Sequence, residues 1–128
     1  METRRGAARC LIVDADHEVR ALIADVLRAD GHHDVECVYT GADALRVLEE
    51  RPSFDLVLGE LTTPARDDAL LHQEISTRWP HLVPRLICIT HGSSAGVSEL
   101  RAASVPILVK PFAPMVLQAV VTQRLAAP

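Results

Sequence analysis

The sequence predicts an α/β domain in which a five-stranded parallel sheet is doubly wound by five helices. Three observations lead there. Strand-like apolar runs alternate strictly with helix-like stretches along the 128 residues. Four of the five runs are apolar almost throughout, as strands are when helices cover both faces of their sheet. Each of those four is followed at once by a polar residue, so polar groups gather at the C-terminal edge, where a doubly wound sheet opens a crevice.

Cys10-Leu11-Ile12-Val13 is the first strand, and Val19, Leu22, Ile23, Val26 and Leu27 recur at the spacing of one helical face. Gly31 stops that helix, and Asp34-Val35-Glu36-Cys37-Val38 is the second strand. Thr40, three residues ahead of Asp43, caps a second helix that Arg51-Pro52 ends. Asp55-Leu56-Val57-Leu58-Gly59 is the third strand. The stretch from about Asp67 to Trp79, with Leu71 and Ile75 on one face, is the third helix, closed by Pro80. Leu86-Ile87-Cys88-Ile89 is the fourth strand, and a short helix around Val97 to Ala103 precedes Ile107-Leu108-Val109, the fifth. Pro114 opens a final helix through Leu117, Val120, Val121 and Leu125.

The composition bounds the function. Hydrophobic residues make up 48% and charged residues 23%, the balance of a globular domain of ordinary size. Residues 1–8 read as an arm, its basic residues running on to Arg9, and 9–126 as one folded domain. A net charge of -4 with no run of Lys and Arg argues against nucleic acid as a partner. No apolar stretch reaches the 18 or so residues of a membrane span, and no signal-peptide segment opens the chain, so a cytoplasmic location away from membranes is expected. Cys10, Cys37 and Cys88 lie in strand-like runs without zinc-site spacing and are expected as buried free thiols. The six histidines share no period that would build a metal site.

Asp14 follows Val13, Glu60 follows Gly59, Thr90 follows Ile89 and Lys110 follows Val109. Lys110 is the only lysine in a chain that otherwise writes its positive charge as arginine. An ammonium is a compact point charge that enters a narrow pocket where a planar guanidinium does not. Two carboxylates, a hydroxyl and an ammonium converging from four strands suit phosphoryl chemistry.

With Leu11-Ile12-Val13-Asp14 and Arg20, Gly41-Ala42-Asp43-Ala44-Leu45, Asp55-Leu56-Val57-Leu58, Pro64, Ile87-Cys88-Ile89-Thr90 and Val109-Lys110-Pro111-Phe112, the chain from Arg9 to Arg124 resembles the receiver domains of bacterial two-component response regulators. The resemblance implies a flavodoxin-like sheet of order 2-1-3-4-5. It also implies an aspartate after the third strand that accepts a phosphoryl group from a histidine kinase, with Mg²⁺ held by that aspartate and an acidic pair after the first strand. Carried over, Asp14 is the first acidic residue, Thr90 the switch hydroxyl and Lys110 the phosphate-binding ammonium, with a cis bond before Pro111.

The departures fall on the chemistry. Glu60 stands where the family has its phosphoacceptor aspartate, and Ala15 where it has the second acidic residue. Glutamate reaches one methylene further, so Glu60 is expected to imitate the phosphorylated state. Asp16 occupies the third position and is expected to turn toward the first helix. Without a carboxylate at Ala15, no cofactor is expected and at most weak Mg²⁺ binding, for which the available ligands would be Asp14, Glu60 and the Thr62 carbonyl. Thr63 replaces the usual methionine before Pro64, Asp68 the usual turn glycine, and Ile107 the usual aromatic switch residue. The segment from Thr90 to Lys110 is about two residues shorter than is common, which implies an abbreviated fourth helix.

The leading expectation is therefore a non-enzymatic, phosphorylation-independent receiver whose Glu60 pairs with Lys110. Two alternatives remain at the level of sequence. One is a receiver still phosphorylated on Asp14 or Asp16, or weakly on Glu60. The other is a small aspartate-nucleophile phosphatase of the haloacid dehalogenase type, suggested by Asp14-Ala15-Asp16 with Thr90 and Lys110. The final helix is too apolar for a purely solvated face, so the fourth helix, fifth strand and final helix, with Ile107, Leu117 and Val121, are expected to bind a protein partner or a second copy. A histidine kinase is the further partner that the resemblance implies.

Overall fold

The computed structural model describes residues 7–92 and 95–126. In chain order the elements are β1 (Arg9–Val13), α1 (His17–Ala29), β2 (Asp34–Val38), α2 (Gly41–Glu50), β3 (Leu56–Gly59), β4 (Pro64–Arg66), β5 (Ala69–Leu70), α3 (Leu71–Arg78), a 3₁₀ helix (Pro80–Arg85), β6 (Leu86–Thr90), α4 (Val97–Ala102), β7 (Ile107–Val109) and α5 (Pro114–Ala126). Five strands form one parallel sheet in the order β2-β1-β3-β6-β7, and β4 and β5 form a separate antiparallel hairpin. With the hairpin set aside, this is the flavodoxin-like order 2-1-3-4-5.

The alternation of side chains along a strand explains why the central runs are apolar throughout. Leu11 and Val13 face one layer with Leu45, Leu48, Leu71 and Ile75, whereas Cys10 and Ile12 face the other with Ile23, Leu27, Leu117 and Val121. Burying each such aliphatic side chain stabilises the fold by about 1.5–3 kcal/mol, so the sheet is held from both faces. Helix starts follow local chemistry. The Asp16 carboxylate accepts from the Glu18 and Val19 backbone N–H groups at the start of α1, and the Thr40 hydroxyl accepts from the Asp43 N–H at the start of α2.

The third helix begins four residues later than the sequence suggests. Asp67 takes a left-handed backbone with φ 48°, which closes the tight β4–β5 hairpin and is incompatible with a continuing helix. The helix starts only at Leu71, where the Gln73 side chain accepts from the Leu70 N–H. Its end is followed by the 3₁₀ helix at Pro80–Arg85, which the sequence does not announce. The fourth helix is short, at 6 residues.

Other expectations are corrected by burial. Cys10 and Cys88 are buried free thiols, and burial pushes their pKa up to about 12 and about 11. Cys37 is exposed, because β2 is an edge strand with only β1 beside it. Leu117 and Val121, expected on the signalling surface, are buried against the sheet; the outward residues of α5 are Met115, 78% exposed, and Val116. Arg9 is part of β1, its N–H donating to Asp55 and its guanidinium 3.3 Å from Asp34. The arm before Ala7 and the Ala127-Pro128 end lie outside the described residues. Among the described residues, no helix is long and apolar enough to cross a membrane.

Candidate functional site

The C-terminal ends of β1, β3, β6 and β7 place Asp14, Glu60, Thr90 and Lys110 along one edge of the sheet. Asp14 follows β1 and is 2% exposed. Its Oδ1 accepts from the Asp16 N–H at 2.8 Å, and its Oδ2 lies 2.8 Å from Lys110 Nζ. Glu60 follows β3, and its Oε2 accepts from the same Nζ at 2.8 Å. One ammonium thus sits between carboxylates of two neighbouring strands. Thr90, the last residue of β6, is buried, and its carbonyl accepts from the Lys110 N–H at 2.8 Å, which fixes the root of the lysine. The Lys110–Pro111 peptide is cis.

The electrostatics follow from these contacts. Burial alone would lower the Lys110 pKa, but the bonds from Asp14 and then Glu60 outweigh it, so the ammonium is held above the ordinary lysine value. The three groups carry two negative charges and one positive. An arriving anion meets a lysine that is already paired.

The remaining site residues are arranged differently. Asp16 is spent on capping α1, and Ala15 is exposed and supplies no side-chain oxygen. Thr62 lies in the turn after β3, two residues beyond Glu60. Mg²⁺ requires near-octahedral oxygen coordination at short range. Here each carboxylate already gives an oxygen to the ammonium, the other Asp14 oxygen is engaged by the Asp16 N–H, and position 15 is a methyl. The donor set does not fit a Mg²⁺ site of the receiver kind. Among the described residues, no cluster of three or more His, Cys, Asp or Glu side chains is arranged to hold a metal ion.

Several supporting residues escape the sequence. Arg20, 7% exposed, donates to the Asp14 carbonyl at 2.7 Å and stacks 4.0 Å over the Tyr39 ring, tying α1 and the end of β2 to the site. His32, buried at the far end of the sheet, accepts from the Ala8 N–H. Gly59 has φ +136° directly before Glu60. The sequence signal was an isolated glycine closing an apolar strand, which marks close backbone approach. Ile107 is half-buried on the α3 and α4 side, so the exposed apolar groups of the β7–α5 face are Val109, Met115 and Val116.

The family profile of the response regulator receiver domain matches residues 10–122. The response regulator protein FleR of Pseudomonas aeruginosa is 36% identical over 107 residues, which is 83% of this chain and 22% of FleR, so the chain spans about a fifth of that relative's length. The crystal structure of NtrX from Brucella abortus superposes with a TM-score of 0.76 at 25% identity, covering 93% of this chain and 27% of that one. A putative response regulator from Chloroflexus aurantiacus gives a TM-score of 0.77 at 24% identity over 94% of this chain and 99% of its own, a likeness of fold.

Proposed function

The chain belongs to the response regulator receiver family, and on that premise we propose that it is an atypical receiver that signals without being phosphorylated. Receiver domains are signalling modules of two-component systems and not, in general, enzymes. In this chain Glu60 takes the place of the phosphorylated aspartate, holds Lys110 permanently and fixes one conformation for a protein partner. The observation that carries the proposal is the shared ammonium, 2.8 Å from both Glu60 and Asp14.

The folded unit is residues 9–126 together with Ala8, which the sequence assigned to the arm but which packs in the core, and its place is the cytoplasm. Its output is protein–protein contact through α4, β7 and α5, where Val109, Met115 and Val116 expose apolar surface. The occupant is a protein partner or a second copy, and a histidine kinase is the upstream partner open to a family member. Phosphorylation on Asp14 or Asp16 finds no support in geometry: the first carboxylate is buried against Lys110 and the second caps α1. No observation favours the phosphatase alternative.

Beryllofluoride with Mg²⁺ mimics the aspartyl phosphate. Backbone NMR spectra of the unaltered protein should show no saturable change at Asp14, Glu60, Thr90 or Lys110. The Glu60→Asp, Ala15→Asp double variant should respond. Saturable shifts in the unaltered protein overturn the proposal, as does a gain of about 80 Da, one phosphoryl group, after incubation with a histidine kinase.

A further inference from the structure

At Gly59 the backbone of β3 faces that of β1 with no room for a side chain. An added Cβ would lie 2.0 Å from the Val13 carbonyl oxygen, 2.8 Å from its carbon and 2.9 Å from the Val13 nitrogen. All three are backbone atoms of β1, so no flexible side chain can swing aside to admit a methyl group. The backbone at φ +136° is likewise one that L side chains rarely adopt. Val13 and Gly59 are register partners, and the next residues along the two strands are Asp14 and Glu60. The Glu60 N–H donates to the Val13 carbonyl at 2.8 Å, and the Leu61 N–H donates back to the Gly59 carbonyl at 2.9 Å, so the chain turns immediately beyond the glycine.

We propose that Gly59 is the positioning residue of the site: its missing Cβ lets β1 and β3 converge so that Asp14 and Glu60 meet a single ammonium. The two contacting oxygens can lie no more than 5.6 Å apart, twice the 2.8 Å that each keeps from Lys110 Nζ. A methyl at position 59 forces the strands apart at the residue pair that roots both carboxylates. The distant end of the ladder, where Cys10 pairs with Leu56, does not feel it directly. Gly59 therefore acts on Lys110 through the backbone, although it carries no side chain. This role rests on the Lys110 contacts and not on whether the site takes a phosphoryl group, so either conclusion can fail without the other.

Because Lys110 is the only lysine, lysine labelled with ¹⁵N at Nζ gives one side-chain resonance in the whole chain. In the unaltered protein that ammonium should be protected from water exchange. In Gly59→Ala the signal should move to the free-lysine position and lose that protection, with every charged group still present. Gly59→D-alanine, made by ligation, should restore the protected signal, since a D-residue favours positive φ and carries its methyl at the other α-hydrogen position, not the one that meets the Val13 oxygen. If Gly59→Ala does not fold, a folded D-alanine variant with the unaltered Lys110 signal supports the assignment. An unchanged signal in folded Gly59→Ala overturns it, and so does equal displacement in both variants or failure of both to fold.

Discussion

Replacing Lys110 by methionine removes the ammonium that both carboxylates face while keeping most of its volume. Asp14 is then left 2% exposed with no counter-charge, and Glu60 faces it across the vacated stem. Removing one partner of a buried ion pair costs about 3–5 kcal/mol. The Glu60 side chain is 28% exposed and can turn toward water, which argues for the lower end, about 3 kcal/mol. That is a large share of the ~5–15 kcal/mol that holds a domain of this size. Urea unfolding followed by far-UV circular dichroism should show a lower midpoint at an unchanged slope. Removing all three charges together, as Asp14→Asn, Glu60→Gln, Lys110→Met, should recover most of the loss, because no uncompensated charge remains. A cost below about 1 kcal/mol, or a triple variant no more stable than Lys110→Met, would refute the shared-ammonium account.

The raised Lys110 pKa gives a second prediction. Its folded value lies above the unfolded one, so its contribution is fully present below the ordinary lysine value of about 10.4 and is lost as pH climbs through the folded value. Urea midpoints should fall more steeply above about pH 10 in the unaltered protein than in Glu60→Gln, with both compared in a Cys88→Ala background because Glu60 also raises the Cys88 thiol. On α5, Met115→Glu and Val116→Glu should change stability by no more than about 0.5 kcal/mol and weaken any association seen by light scattering. Leu117→Ala on the same helix should instead cost about 2–5 kcal/mol, because Leu117 is fully buried.

How far the sequence was legible depended on whether the deciding interaction was local. The apolar runs of β1, β3 and β6 announced themselves, because a strand buried on both faces must be apolar at every position. Thr40 announced a cap for the same kind of reason, its partner being three residues away. The start of α3 did not. Asp67 and Asp68 are as good at opening a helix as at closing a hairpin, and only the pairing of Pro64 with Leu70 chose the hairpin. In α5 the apolar residues surround the axis, so periodicity could not say that Leu117 and Val121 face the sheet while Met115 and Val116 face out. Gly59 was visible as a residue, but its meaning depended on the register that sets it against Val13, 46 positions earlier.

The same distinction bears on what kind of switch the site can be. Two conformations exchange under a ligand only when the ligand binds one of them better, and by no more than that difference. A phosphoryl group in this site would have to take Lys110 from Glu60, giving up a charge-assisted bond worth about 1.5–3 kcal/mol, which is roughly a ten- to hundredfold handicap against a site whose lysine starts free. The methyl of Ala15 and the engagement of both neighbouring carboxylates with the ammonium leave few oxygens for a cation that would offset that handicap. On the function proposed above, positions 15 and 60 act in one direction: the methyl of Ala15 supplies no metal ligand, and Glu60 occupies the ammonium that would hold a phosphoryl group. On that proposal, a partner that reads this face meets the same conformation with or without a kinase.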